Sequence, residues 1–267
     1  MMGLCIMVAF VGIAFVCPWL APYPEDRIEV HTDQRLLPPS RAHWFGTDDL
    51  GRDIFSRILL GTRISLHSAI LVLLITISLG VFLGVVAGSF GGYVDEAIMR
   101  LTDIFLAFPR LILAMVIATI LGPNVTNSIV AMSLSWWPVY ARLVRGQALS
   151  LREQDFVLAA RSLGASRGHL IVSHILPNCL SPVIIQASLD VGRVIMTSAA
   201  LGFIGVGAQP PIPEWGIMIS LGRNYFLDQP WIAAFPGLAI IVTVFGFNLF
   251  GDGLRDVLDP RWRSEAE

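Results

Sequence analysis

Between two apolar segments lies the polar stretch Asp155-Phe-Val-Leu-Ala-Ala-Arg161-Ser-Leu-Gly164-Ala-Ser-Arg167, running on through His169 to His174-Ile-Leu-Pro177-Asn178. Its residue types suit docking more than bond-making. Arg152, Asp155 and Arg161 give a polar side, while Phe156, Val157, Ala160 and Leu163 recur at helical spacing and predict an apolar face. Ala159 and Ala160 are small, strong helix formers that let a partner's surface come close. Gly164 takes positive φ without steric cost and predicts a break between two short helices. Leu170, Ile171 and Ile175 then return the chain to apolar sequence, with Pro177 and Pro182 bracketing the return. On spacing alone the stretch is either an amphipathic connector lying on a bilayer or a contact surface for a soluble partner.

Covalent chemistry is poorly served. All 18 basic residues are arginine. A nucleotide-cradling G-x-x-x-x-G-K-[ST] loop needs a lysine to reach the terminal phosphates, so none exists here. Schiff-base and Ser–Lys chemistry are excluded with it. H-E-x-x-H and Cys/His clusters at metal spacing are both missing. His169 and His174 are five residues apart and do not share a helix face. Cys5, Cys17 and Cys179 are scattered in or beside apolar segments, as packing residues are. The expectation is a chain with no catalytic residue, no metal and no cofactor of its own. Any energised work would draw on a partner.

The elements that hold this stretch are made for lipid. Apolar residues form 55% of the 267, charged residues only 14%, and mean hydropathy is +0.70. A soluble domain carries about a quarter charged residues, so the deficit predicts an all-α integral membrane protein. The formal charge of −2 offers nothing to nucleic acid. Crossing a hydrocarbon core of roughly 30 Å takes about 20 residues. Uncharged stretches predict six transmembrane helices, near 2–20, 66–90, 104–121, 126–144, 181–205 and 232–250. Gly122-Pro123-Asn124 splits the third from the fourth.

The resulting organisation is a first transmembrane helix over 1–21, an external loop over 22–65, a membrane core over 66–251 with its polar loop at about 146–180, and a tail over 252–267. Six spans put both termini on one side. Counting the loops around 91–110 and 142–180 and the tail as cytoplasmic places the larger share of loop arginines inside, a mild positive-inside bias. Span one lacks the basic n-region of a signal peptide and is too long for its apolar core, so it reads as a retained helix. Bulky Val16 argues against a lipoprotein role for Cys17. The missing cytoplasmic lead suggests a trimmed or mis-started N-terminus. Within the spans, Asp190 and Arg193 stand at i,i+3 and can meet on one helix face, either as a structural pair or as pathway lining. Gly80, Gly84 and Gly88 repeat at four-residue spacing, which permits close helix contact and suits static packing more than a hinge.

Leu158-Ala-Ala-Arg-Ser-Leu-Gly164-Ala-Ser with Ile175-Leu-Pro177-Asn178 resembles the cytoplasmic "EAA" loop of ATP-driven importer permeases. Leu158 stands where the broad family has Glu, a position that the peptide/nickel branch often relaxes. Other segments resemble the same DppC/OppC/NikC-like branch: His43-Trp-Phe-Gly46-Thr47-Asp48-Asp49-Leu-Gly51-Arg52-Asp53 with Ser56-Arg57, Asp95 through Arg100 to Asp103 and Pro109, Gly205-Val-Gly207-Ala-Gln209-Pro210-Pro211 with Pro213-Glu214-Trp215-Gly216, and Phe247-Asn248-Leu-Phe-Gly251-Asp252-Gly253-Leu-Arg255-Asp256 ending in Asp259-Pro260-Arg261.

The resemblance implies a MetI-like permease bundle in the inner membrane of a bacterium or archaeon, with both termini cytoplasmic. It implies three kinds of partner besides lipid: a homologous second permease, two ATPase subunits carrying ATP and Mg, and an extracytoplasmic substrate-binding protein. Leu158, Ala159, Ala160, Arg161, Gly164, Ala165, Ser166, Arg167 and Pro177 would form the ATPase-coupling loop. The proline-stiffened outer loop would offer Gln209, Pro211, Glu214 and Trp215 to the binding protein. The expected cargo is dipeptides or oligopeptides, with nickel or a nickel chelate as the alternative. A channel or structural subunit working without an ATPase is the different-class alternative.

Overall fold

The computed structural model describes residues 2–258, and in them the chain is a helix bundle without a β-sheet. The expected tail motif Asp259-Pro260-Arg261, with Arg263 beyond it, lies outside the described residues. Helix α1 covers Met2–Leu20. A polar cap over residues 21–53 follows, and then α2 runs unbroken over Ile54–Phe90. Its 37 residues reach about 55 Å, well beyond a hydrocarbon core. The sequence reading started this helix near 66 because Arg57 and Arg63 interrupt the uncharged window. The loop after α1 therefore ends at Asp53, which caps α2 by accepting a hydrogen bond from the Ser56 amide at 2.8 Å.

The expected third span is broken. Helices α3 (Gly92–Leu106) and α4 (Arg110–Leu121) meet at 89°. Pro109, which lacks an N–H and cannot continue α3, stands at the start of α4. Asn124 caps α5 (Val125–Arg152) through its side-chain oxygen. Among the described residues four helical stretches are long and apolar enough to cross a membrane, or five if the bent α3–α4 pair counts as one span. Helix α5 has 28 residues, ample length, but its serines and arginines make it less apolar than those stretches. Those serines are satisfied internally: Ser133 and Ser135 donate to the carbonyls of Ile129 and Ala131, one turn back.

The most extensive helix pairing is α2 on α5, and the glycine ladder makes it possible. A Cβ on Gly84 would stand 2.5 Å from the Ala141 carbonyl oxygen, and one on Gly80 would stand 2.5 Å from Tyr140 Cβ. Gly88 is as close to Ala148, so all three glycines serve static packing. Asp95 on α3 clamps Arg145 of α5 with both carboxylate oxygens, the second at 2.6 Å, and so ties α3 to α5.

Helices α6 (Asp155–Ser162) and α7 (Arg167–Leu170) form the polar loop, and a π turn over Ile171–Ile175 leads into α8 (Leu176–Ile204). Pro177 and Pro182 both lie inside this continuous ramp instead of bracketing a break. Pro177 provides no N–H for the carbonyl a turn earlier, and the wider π turn directly before it absorbs that loss. Beyond Gly205 come α9 (Trp215–Gly222) and α10 (Trp231–Leu258), so the first residues of the expected tail are still helical.

Candidate functional site

The polar loop is a hydrogen-bonded turn. Gly164 adopts φ +85°. Its amide donates to the Arg161 carbonyl at 3.0 Å, and the Ala165 amide donates to that of Ala160 at 3.1 Å. These two bonds are the paired closure of a helix that ends on a left-handed glycine. Ser166 then opens α7 by accepting from the His169 amide. Asp155 in the first turn of α6 and Arg161 in the last complement its dipole.

The face that α6 presents differs from the expected one. Of Phe156, Val157, Ala160 and Leu163, only Val157 is fully buried. Phe156 and Leu158 are nearly half exposed, and Leu163 at the tip is 89% exposed. Ala159, Arg161, Ser166 and Arg167 are exposed as well, and Ala160 and Ala165 are half-buried. An eight-residue helix cannot bury two faces, so one anchor holds it and the apolar remainder faces outward. Pro177 is exposed on the ramp, apart from that tip.

At the opposite end the cap is built from buried polar groups. Asp53 Oδ1 pairs with His43 Nδ1 at 3.0 Å, and Asp26 Oδ1 with His31 Nε2 at 3.0 Å. Asp26 Oδ2 also accepts from the Asp53 amide. Arg52 binds Asp48 at 2.8 Å, and Arg57 donates to the carbonyls of Asp26 and Pro211. Arg57 thereby ties the cap to the loop that follows α8. The glycines of the His43–Asp53 segment are steric necessities: Gly51 has φ +79°, and a Cβ there would stand 1.8 Å from the His31 carbonyl oxygen. Burial raises the Asp26 carboxyl above its usual range, against the opposing pull of the Asp53 amide and His31.

Two of the expected outer contacts are not on the surface. Trp215 is only 2% exposed; its indole N–H donates to the Ile58 carbonyl at 3.0 Å and its ring packs against Gly61 and Phe10. Glu214 is buried too, capping α9 by accepting from the Ile217 amide at 3.1 Å. Burial pushes its carboxyl up to about 7, although the Ile217 and Gly216 amides favour the charged form. The aromatic read as a protein-docking anchor is thus a core residue, because the prolines before it fold the loop back onto α2. Gln209 is half-buried, its amide spent on the carbonyls of Gly205, Gly207 and Ala208, and Pro211 is exposed.

Between the two ends, Asp190 and Arg193 do meet, Oδ1 to Nη1 at 3.0 Å. Asp190 is fully buried, whereas the Arg193 side chain is 54% exposed. The pair is part of a larger network. Tyr140 and Gln186 each donate to Asp190 Oδ2 at 3.0 Å. Gln186 stands one helical turn before Asp190, a spacing that a helix brings together, although the sequence reading did not single it out. Tyr140, fifty positions away on another helix, had no local signal.

Comparison with known proteins supplies the identity. Residues 80–264, more than half of the chain, match the binding-protein-dependent transport system inner membrane component. The chain belongs to this family. It is a transport permease subunit, and residues 1–39 match the N-terminal transmembrane domain of oligopeptide transport permease C. The permease is 51% identical over 256 residues to the probable D,D-dipeptide transport system permease DdpC of Escherichia coli K12, covering 96% of this chain and 85% of that one. It is 46% identical to the dipeptide transport system permease DppC of Alkalihalophilus pseudofirmus, covering 98% and 86%. The nickel transport system permease NikC of Escherichia coli K12 is 42% identical, covering 99% and 95%. Among solved structures, the inward-facing MetNI methionine ABC transporter matches with a TM-score of 0.62 at 17% identity, covering 77% of this chain and 98% of that chain, which shows the MetI-like fold.

Proposed function

We propose that this permease is one half of the membrane channel of an ATP-driven importer for dipeptides or short oligopeptides. Six helices would cross the inner membrane, with α5 counted as a span and both termini in the cytoplasm. The observation that carries the reading is the hydrogen-bonded α6–α7 turn with its outward Leu163, Phe156 and Leu158. A soluble ATPase pair, holding ATP and Mg, would seat on it, and nucleotide-driven closure of that pair would rock the bundle between two states. A homologous second permease would cover the half-exposed Arg193, and a binding protein outside would meet the surface around Pro211. Lipid would cover the remaining apolar faces.

The dipeptide relatives at 51% and 46% identity favour peptide cargo. Nickel or a nickel chelate is the second reading, favoured by the nickel relative at 42%. The experiment is reconstitution of the permease with its partner permease, ATPase pair and binding protein in liposomes, followed by uptake of labelled dipeptide or nickel. Dipeptide uptake that needs ATP and binding protein is expected, with no ATP turnover by the permease alone. Uptake of nickel only would replace the cargo, and solute flux through the permease without any ATPase would return it to the channels.

A further inference from the structure

Beneath the α6–α7 turn is a recess of about 100 Å³. Its walls carry three guanidinium groups, Arg152, Arg161 and Arg167, and the hydroxyl of Ser89; Val157 and Ile175 give it an apolar floor. No carboxylate lines it. Among the described residues, none of the three arginines takes part in an ion pair. Arg152 is held in place by its Nη1, which donates to the Gly88 carbonyl at the end of α2 at 3.1 Å. Ser89 Oγ is buried and has no hydrogen-bond partner. The recess therefore presents donors on several sides and no acceptor charge. Three like charges around one small space repel each other until an anion rich in acceptor oxygens enters.

The position selects among anions. Ser89 is the penultimate residue of α2, and Ile175 is at the start of the ramp into α8, so the recess opens where two membrane helices end. On its rim Phe90 is half exposed, an apolar surface that acyl chains can follow. We propose that the recess binds a phosphate oxyanion presented by the headgroup of an anionic phospholipid. Guanidinium pairs match phosphate oxygens in bidentate geometry, and basic pockets at helix ends suit lipid headgroups. The bound lipid would brace the loop against the bilayer from below while its outer face stays free. The site rests on the 146–180 loop and the end of α2 meeting the membrane surface but not on ATPase coupling, and uptake is not its readout.

The test uses the assembled transporter in nanodiscs of phosphatidylethanolamine with phosphatidylglycerol, released gently and weighed by native mass spectrometry. Retained phosphatidylglycerol is expected on the wild type. Each arginine near a membrane surface contributes about a fivefold factor, so Arg152→Gln, Arg161→Gln and Arg167→Gln together should weaken retention about a hundredfold. Should that protein fail to assemble, Arg167→Gln alone, at an exposed position, should weaken it about fivefold. Arg100→Gln, on the outer face of α3, should change nothing. Equal retention by wild type and variants overturns the site. Displacement of the lipid by millimolar inorganic phosphate overturns the lipid as its source. Loss of the lipid whenever the ATPase subunits are bound gives the recess to the ATPase contact and ends the proposal.

Discussion

The Tyr140 hydroxyl donates to Asp190 Oδ2 at 3.0 Å, and that bond ties the interior of α5 to the interior of α8. Asp190 has no exposed surface, so its carboxylate depends on the three donors around it: Tyr140, Gln186 and Arg193. In an apolar bundle a charge so enclosed is retained only with such partners. The two helices are thereby fixed in register, and a half-exposed guanidinium is held at a set place on the outer surface of α8.

Tyr140→Phe keeps the ring and removes the donor. Because the acceptor is charged and buried but keeps two other donors, the expected loss is about 1–2 kcal/mol. Thermal unfolding of the purified permease complex should show a lowered Tm. Asp190→Leu takes the acceptor from all three donors and leaves the buried Tyr140 hydroxyl without a partner, so it should cost more than Tyr140→Phe. A Tyr140→Phe protein melting with the wild type would mean the bond contributes nothing.

The sequence made the bundle legible wherever local chemistry decides. Gly164 was readable as a break because a left-handed helix end favours glycine, and the glycine ladder of α2 because only small residues allow that approach. The early start of α2 was hidden because Arg57 looks like a loop charge, whereas its partners are carbonyls at Asp26 and Pro211, contributed by distant segments. Trp215 was misjudged for a related reason: a Pro-rich flank says that a loop is stiff but not which way it folds. The outward turn of Leu163 follows from the shortness of α6, which spacing alone does not reveal.

The α2–α5 packing predicts a contrast between two glycines. Gly84→Ala puts a Cβ against the Ala141 carbonyl and Val144 Cβ, both backed by helix, so overpacking should cost about 1–3 kcal/mol. Gly237→Ala in α10 meets no atom within 4 Å and gains helix propensity, so it should be neutral or slightly stabilising. Detergent-melting curves of the two proteins make the comparison; equal effects would remove the close approach as an explanation for the ladder.

Glu214 predicts a pH dependence with a definite sign. Its carboxyl is raised by burial from 4.5 to about 7, so the folded protein holds that proton more tightly than the unfolded chain. The contribution is fully present below pH 4.5, is lost as pH rises, and is gone above about 7, with a full size on the order of 3 kcal/mol. Glu214→Gln keeps an acceptor for the Ile217 amide and has no proton to lose. The variant should melt above the wild type at about pH 8, and the gap should close by about pH 5. A gap independent of pH would show that Glu214 is not the titrating group.

The α6–α7 turn separates folding from coupling most sharply. Gly164 has open space where a Cβ would go, so the only demand on it is its φ of +85°. Gly164→Asn should therefore be tolerated, since asparagine visits the left-handed region readily. Gly164→Pro requires φ near −65° and removes the amide that donates to Arg161, so it should distort the turn. Ala160→Glu adds a charge to a half-buried position that a docked ATPase would desolvate, at a cost of a few kcal/mol, roughly, in a dry contact. Leu163→Asp is the cleanest variant, because a side chain 89% exposed supports nothing in the isolated permease. Leu163→Asp should melt like the wild type and pair with its partner permease. Its uptake and its binding-protein-stimulated ATP turnover should fall together, because one contact carries both signals. Wild-type uptake in Leu163→Asp and Gly164→Pro, at equal expression, would leave the turn as a connector on the bilayer and take the coupling role away from it.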